Sequence, residues 1–255
     1  MLVPCLLMAI GLWAQDPELG RIEISSGEAI LTVDSPRPVD SAAKTLAGRY
    51  GIVINSEDPQ YLYSDDMQDR TAEIARTPRP GLRVFVPKGG RLEVRFRVKP
   101  DGSPQDLEEL LQAVVDAANV QFPFSYRLEM NGDDAYTFVP TTTRDTQGRL
   151  IDLPALLDQK ITIPLGTRSV IEHAKLITDA LSAQTGFHVS CCQAFVAGIP
   201  WGMENVSFEA RDETARSVLL RLISSVKGRY YYLERCDPVS PGRETWCFIN
   251  VQALH

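Results

Sequence analysis

The sequence predicts an α+β fold: two tandem β-α-β-β-α-β-β units whose helices pack against small mixed sheets. Three observations predict it. Two amphipathic helical stretches repeat their apolar positions one for one. Each is followed by an aromatic or apolar hairpin. An earlier helix–glycine–strand phrase also occurs twice. The repeat is the primary signal, because a chain that recurs on itself is built from one small unit used again.

Taken in order, the chain opens with MLVPCLLMAIGLWAQ, in which Leu2 to Trp13 is apolar and uncharged. A bilayer span takes ~20 apolar residues. The run is too short to cross and reads as the hydrophobic region of a signal peptide over residues 1–14. The first unit is expected over residues 28–140. Ile30 to Val33 is extended, VDSAAKTLAGRY is helical, Gly51 ends the helix, and Ile52 to Ile54 is a strand. In the second unit, over residues 159–252, Ile161 to Leu165 is extended, AKLITDALSAQT is helical, Gly186 ends it, and Phe187 to Val189 follows. Glycine suits a helix C-terminus because it enters the left-handed region without a Cβ penalty. Leu46 and Gly51 match Leu181 and Gly186 at an offset of 135.

The second helix of each unit is the strongest match. Leu107, Leu110, Leu111, Val114, Val115 and Ala118 follow i, i+3, i+4, i+7, i+8, i+11. Ala215, Val218, Leu219, Leu222, Ile223 and Val226 do the same at an offset of 108. That spacing is one buried face of a 3.6-residue helix. Ser103 is the expected N-cap of the first, with Pro104 at the first helical position and Asp106 near the capping-box position. Asp212 is the expected cap of the second. Hairpins follow: FSYRLEM and AYTFVP around Asn131-Gly132, then RYYYLERC and TWCFINV. The offset falls from 135 to 108, so the first unit carries 27 extra residues, placed near 57–90; residues 141–158 connect the units.

Composition sets limits on function. The net charge is −7 and the isoelectric point about 5.1, a poor match to nucleic acid, which needs cationic surface. No further segment has the length and apolarity of a transmembrane span, so none is expected in the mature chain. Histidine is scarce, at His173, His188 and His255, and no Gly-x-Ser-x-Gly elbow or phosphate-cradling glycine loop occurs. The carboxylate pairs Asp65-Asp66, Glu108-Glu109 and Asp133-Asp134 are sequence neighbours whose side chains point apart. No catalytic residue, cofactor or metal is therefore assigned. Loss of the leader removes Cys5 and leaves Cys191, Cys192, Cys236 and Cys247, an even count that fits disulfides in an oxidising compartment. A zinc site with His188 is the other reading, but adjacent cysteines rarely ligate one metal. In Tyr230 to Tyr232 one strand face is core, and the other is free to stack on a sugar or peptide.

The stretch ITIPLGTRSVIEHAKLITDALSAQTGFHV, then AFVAGIPWGMENVSFEARDETARSVLLRLISSVKGRYYYLE, then TWCFINV, resembles the secretin and TonB-receptor N-terminal short domain. The likeness extends over about 159–252, and more weakly over 28–140, where the extra residues interrupt it. It implies two helices held between small sheets, a periplasmic location, and action through protein contacts by strand addition or a helix face. The chain reads on only to His255, so docking is the expectation carried over, and a pore is not. The resemblance also places the strand ending at Cys191 near the closing hairpin. It thereby implies one bridge from Cys191 or Cys192 to Cys236 or Cys247.

Charge is unevenly spread. Residues 70–99 hold nine Lys and Arg against Glu73 and Glu93, a net +7, which leaves −14 for the rest of the chain. In RLEVRFRVK the residues Leu92, Val94, Phe96 and Val98 share one strand face and Arg91, Arg95, Arg97 and Lys99 the other. These four are the candidate partner contacts. The expected function is a periplasmic or secreted protein-interaction or scaffold module for envelope secretion, pilus or signalling machinery, with an envelope protein or a second copy as partner. A binder of a cell-envelope polymer is the alternative, and an envelope hydrolase ranks last.

Overall fold

A computed structural model describes residues 20–74, 83–132, 135–191, 203–237 and 245–254. The leader with Cys5, Arg76, Arg79, the Asp133-Asp134 pair, Cys192 and His255 lie outside the described residues.

Alternating apolar residues form strands, and glycines turn or end the elements. β1 (Arg21–Ser25) and β2 (Glu28–Ser35) make a hairpin, with Ser26 and Gly27 both at positive φ. α1 (Pro38–Tyr50) stops at Gly51, left-handed at φ 64°, and β3 (Val53–Glu57) follows. The extra segment contains a 3-10 turn (Ser64–Asp66), β4 (Met67–Asp69), the single-turn α2 (Thr71–Ile74) and β5 (Phe85–Pro87), with β4 antiparallel to β5. Next come β6 (Gly90–Arg97), α3 (Leu107–Gln121), β7 (Tyr126–Met130) and β8 (Ala135–Pro140). Residues 141–158 form a short antiparallel pair, β9 (Thr142–Arg144) and β10 (Leu150–Asp152), and a 3-10 turn (Leu156–Asp158). The C-terminal half runs β11 (Lys160–Ser169), α4 (Val170–Thr185), β12 (His188–Cys191), β13 (Asn205–Thr214), α5 (Ala215–Ser224), β14 (Tyr230–Asp237) and β15 (Trp246–Ala253). Gly186 ends α4 as Gly51 ends α1, left-handed at φ 73°.

The fold is α+β, with several small mixed sheets. In the N-terminal half β2 pairs with β6, β3 runs parallel to β8, and β8 is antiparallel to β7. In the C-terminal half β11 pairs with β13, β12 runs parallel to β15, and β15 is antiparallel to β14. Buried apolar side chains form two clusters. One draws on α1 and α3, including Leu46, Leu110, Leu111, Val114 and Val115. The other draws on α4 and α5, including Ile177, Leu181, Val218, Leu219 and Leu222. Each such side chain contributes roughly 1.5–3 kcal/mol when fully buried, and chain entropy offsets most of that. No helix among the described residues is long and apolar enough to cross a membrane.

Two caps differ from expectation. α3 is capped by Asp106, whose side chain accepts from Glu109 N, and not by Ser103. The end of β6 holds the preceding residues: Gln105 N donates to Arg97 O, and Pro104 bridges Val98. The helix starts only after that pairing ends. α5 is capped by Thr214, which accepts from Ser217 N, and not by Asp212. Asp212 sits inside β13 at φ 51°. The connecting segment is more than a linker, because Leu156 and Leu157 are buried in the second cluster.

The feature with most bearing on function is a six-stranded sheet of order β12-β15-β14-β3-β8-β7. β14 of the C-terminal half lies parallel beside β3 of the N-terminal half, with Leu233 opposite Ser56 and Glu234 opposite Glu57. One half has added its edge strand to the other.

Candidate functional site

The β14–β3 joint is short, so side chains carry much of it. Asn55 lies at its centre. Its Nδ2 donates to Tyr136 O at 3.0 Å and its Oδ1 accepts from Tyr232 N at 2.9 Å, tying β3 to strands on both sides. Asp58 N donates to Glu234 O at 3.1 Å and to Glu234 Oε2 at 3.0 Å. Tyr232, fully buried, donates its hydroxyl to Glu57 Oε1 at 2.7 Å.

Five ion pairs among the described residues, three of them made by Arg216, cross or line the joint. Arg216, on the first turn of α5, grips Glu57 with Nε and Nη2 at 2.7 and 2.8 Å. Its Nη1 reaches Asp158 at 2.5 Å and Glu129 at 3.2 Å. Burial works to lower the Arg216 pKa, but the hydrogen bonds and charge of Glu57 outweigh it and hold the guanidinium charged. Arg37 Nε donates to Asp58 Oδ2 at 2.6 Å, and Arg235 donates to Asp40. Burial pushes the Asp58 carboxyl up to about 6 despite the charge of Arg37. Burial, then the nearby charges of Asp58 and Glu57, push Glu234 well above the usual carboxylate range.

A disulfide abuts this cluster. Cys236 and Cys247 face each other across β14 and β15 and are bridged. The bridge is thus within the hairpin, and does not run from Cys191 or Cys192 to it as the resemblance implied. The reason is register: Cys236 and Cys247 are direct cross-strand partners, whereas Cys191 lies opposite Ile249. Cys191 is disulfide-bonded as well. Glu234 Oε1 is 2.9 Å from Cys236 Sγ. A bridged sulfur carries no proton, so a hydrogen bond at this contact needs the acid form of Glu234 as its donor. Glu234, Cys236 and Cys247 converge within 4.8 Å, but bridged sulfurs are not thiolate ligands for a metal. The double substitution Cys236→Ala/Cys247→Ala is expected to lower stability by about 3 kcal/mol, from the closure entropy of so short a loop. Urea unfolding under non-reducing conditions measures it.

The other candidates are placed plainly. His173 is buried on α4, its Nε2 3.2 Å from Val206 O and its ring edge-on to Phe208. His188 stacks on Trp246 at 4.5 Å. Of the tyrosine run, Tyr232 is core and Tyr231 bonds Gln252 at 2.6 Å. Glu108 and Glu109 are exposed in the first turn of α3, where negative charge suits the helix dipole. Arg91, Arg95, Arg97 and Lys99 are exposed as expected. They do not form a bare basic row, however. Glu93 shares their face and pairs with Arg91 at 2.9 Å and Arg95 at 3.4 Å. Across the ladder Asp34 lies opposite Arg91 and Glu28 opposite Arg97. Such cross-strand pairs balance the face.

The extra segment near 57–90 forms one side of a cavity of about 230 Å³. The start of α1, the turn between β5 and β6, the chain after α3, and Arg144 complete it. Sequence reasoning passed over Arg37, Asp40, Glu234 and Arg216 as ordinary charged residues, and read Asp66 only as one of a carboxylate pair whose side chains point apart; Glu234 and Arg216 find their partners only where the two halves meet.

Comparison with known proteins finds no match, whether among protein-family models, curated proteins or solved structures.

Proposed function

We propose that the chain is an exported protein-interaction or scaffold module of the cell envelope, periplasmic or secreted, that docks partners by strand addition. The observation supporting this is the parallel β14–β3 joint: a strand edge of this fold already accepts another unit within the chain. β7 is the end strand of the same sheet among the described residues, and it occupies in its half the place that β14 occupies in the other. Ser125 and Asn131 direct their backbone toward β8, so Tyr126, Leu128 and Met130 direct theirs outward. Tyr126 is capped by the Asn119 amide, which leaves the Leu128 and Met130 groups facing out. An edge of that kind is a template for a partner strand. The buried Cys236–Cys247 disulfide fits an oxidising compartment. The partner is an envelope protein or a second copy.

Proline at Met130 removes an outward N–H without breaking the β7–β8 ladder. Met130→Pro is expected to lose envelope partners captured by cross-linking and pull-down from the periplasm, while its melting temperature stays within a few degrees of the parent. Capture of the same partners by a folded Met130→Pro protein would sink the proposal.

A further inference from the structure

Along β7 the order Tyr126-Arg127-Leu128-Glu129-Met130 sets opposite charges symmetrically about Leu128. Strand alternation puts Arg127 and Glu129 on one face and Tyr126, Leu128 and Met130 on the other. The second face is the α3 side, where Tyr126 and Leu128 pack with the α3 core residues. Arg127 Nη2 bonds Glu129 Oε1 at 2.6 Å, and the two side chains are 41% and 29% exposed. The outer edge of β7 has no neighbouring strand among the described residues. A strand with this symmetry is complementary to a second copy of itself run antiparallel.

Charge selects the register. In a symmetric antiparallel pair the two-fold axis falls on one residue, which lies opposite itself. An axis on Arg127 or Glu129 sets like charges face to face. An axis on Leu128 sets Arg127 opposite Glu129 of the copy, twice. Side chains directly opposite come within about 4.5–5.5 Å at Cβ, where opposite charges stabilise and like charges oppose. Leu128, whose backbone points outward, then exchanges two hydrogen bonds with its copy. Apolar groups meet as well. Met130 falls opposite Tyr126 of the copy, and Val120 lies beside Tyr126 because the preceding Asn119 is hydrogen-bonded to it. Met130 is 61% exposed and Val120 86%, so each covers the other. Asn119 is the one obstacle. Its Nδ2 donates to Tyr126 O at 3.0 Å and its Oδ1 accepts from Tyr126 N at 2.6 Å. Those are the donor and acceptor that an opposing strand residue offers. Asn119 thus stands in for Met130 of the copy and exchanges with it bond for bond, its amide turning to water.

We infer that β7 pairs antiparallel with β7 of a second copy about a two-fold axis at Leu128, continuing the six-stranded sheet into a symmetric dimer. The inference rests on the reading of β7 as a docking edge, and it names the partner and the register. Two-fold contacts of this kind are the commonest in soluble oligomers. The edge is only five residues long, so the pair is a weak one, with a dissociation constant in the roughly micromolar range.

The test is sedimentation equilibrium of the full chain at concentrations up to about 0.2 mM, well above the expected dissociation constant. The parent chain is expected to dimerise reversibly. Arg127→Glu makes the strand acidic at both positions, and Glu129→Arg makes it basic at both. Each variant alone is expected to self-associate at least roughly tenfold more weakly, and an equimolar mixture to recover the dimer as a heterodimer, since every Glu then meets an Arg. Asn119→Ala removes the competitor from an exposed position and is expected to tighten the dimer by a few-fold. A parent chain that stays monomeric, or an Asn119→Ala chain that associates no more tightly than the parent, overturns the inference whether or not the charge variants fold. Folded charge variants that self-associate like the parent, or that fail to pair when mixed, overturn it as well. A monomeric parent whose Met130→Pro variant still loses its envelope partners removes the dimer alone and leaves strand docking in place, with another protein as the partner.

Discussion

Arg216→Ala is expected to lower stability by about 3–5 kcal/mol, the cost of stranding a buried charge by removing its partner. Glu57 is 1% exposed and Arg216 5%, so water does not replace the lost guanidinium. Glu57 would keep the Tyr232 hydroxyl and lose both arginine contacts. Asp158 and Glu129 would lose their shared cation at the same time. For a chain of this size the loss corresponds to a fall in melting temperature of about 6–20 °C. Arg216→Lys should recover only part of it, because an ammonium cannot make the two-pronged contact with Glu57. The double variant Arg216→Met/Glu57→Gln should be markedly more stable than Arg216→Ala, since it removes both charges together. Hydrogen exchange provides a local readout. The Asp58 and Tyr232 amides, which bond Glu234 and Asn55 across the joint, should lose protection before the amides of α3. A loss below about 1 kcal/mol would place the pair among ion pairs that contribute little, and would mean that the joint is held by other contacts.

Much of the fold was legible from periodicity, and little of the joint was. The face Leu107, Leu110, Leu111, Val114, Val115, Ala118 reads as core from spacing alone, and all but the half-buried Leu107 are buried. Gly51 and Gly186 announce two helix ends because only a residue without a Cβ enters the left-handed region freely. Helix starts were harder. Ser103 has the right chemistry for a cap, but the pairing of Pro104 and Gln105 with the end of β6 takes precedence. That pairing is a tertiary contact and leaves no local pattern. The basic row was legible as a strand face, yet its neutralisation by Glu28 and Asp34 depends on β2 lying beside β6. Arg216 follows Ala215 on the flank of an apolar helix face, where an arginine normally reaches solvent. It is buried because β3 and its Glu57 belong to the other half of the chain. Cys236 and Cys247 stand directly opposite each other in the β14–β15 hairpin, so register decides their pairing, and register is what a likeness of element lengths leaves open.

Acidification from pH 7 to pH 5 is expected to stabilise this protein, against the usual behaviour of carboxylate-rich chains. The cause is the buried carboxyls of Asp58 and Glu234 at the joint. Burial pushes Asp58 up to about 6 from the usual 3.8, with Arg37 only partly opposing it. Between roughly pH 4 and pH 6 the folded state therefore holds a proton that the unfolded chain has released. With more protons bound in the folded state, stability rises as pH falls through this window. The penalty is absent below about pH 4 and complete above about pH 6. A displacement of that size corresponds to about 3 kcal/mol at most. Glu234 acts in the same direction, since burial and the charges of Asp58 and Glu57 raise it as well. Asp69, Asp101, Asp145 and Glu172 oppose the trend, because hydrogen bonds from Thr71, Ser103, Arg149 and Ser169 respectively hold their carboxyls low. Their protonation costs stability only near and below the ordinary carboxylate range. Urea midpoints at pH 7, 6 and 5 should climb in that order at constant ionic strength. Asp58→Asn should reduce the climb between pH 6 and pH 5, and Glu234→Gln should reduce the climb further. A midpoint that falls on acidification, or a climb unchanged in Asp58→Asn, would mean that Arg37 compensates Asp58 fully and that the joint carries its charges without cost.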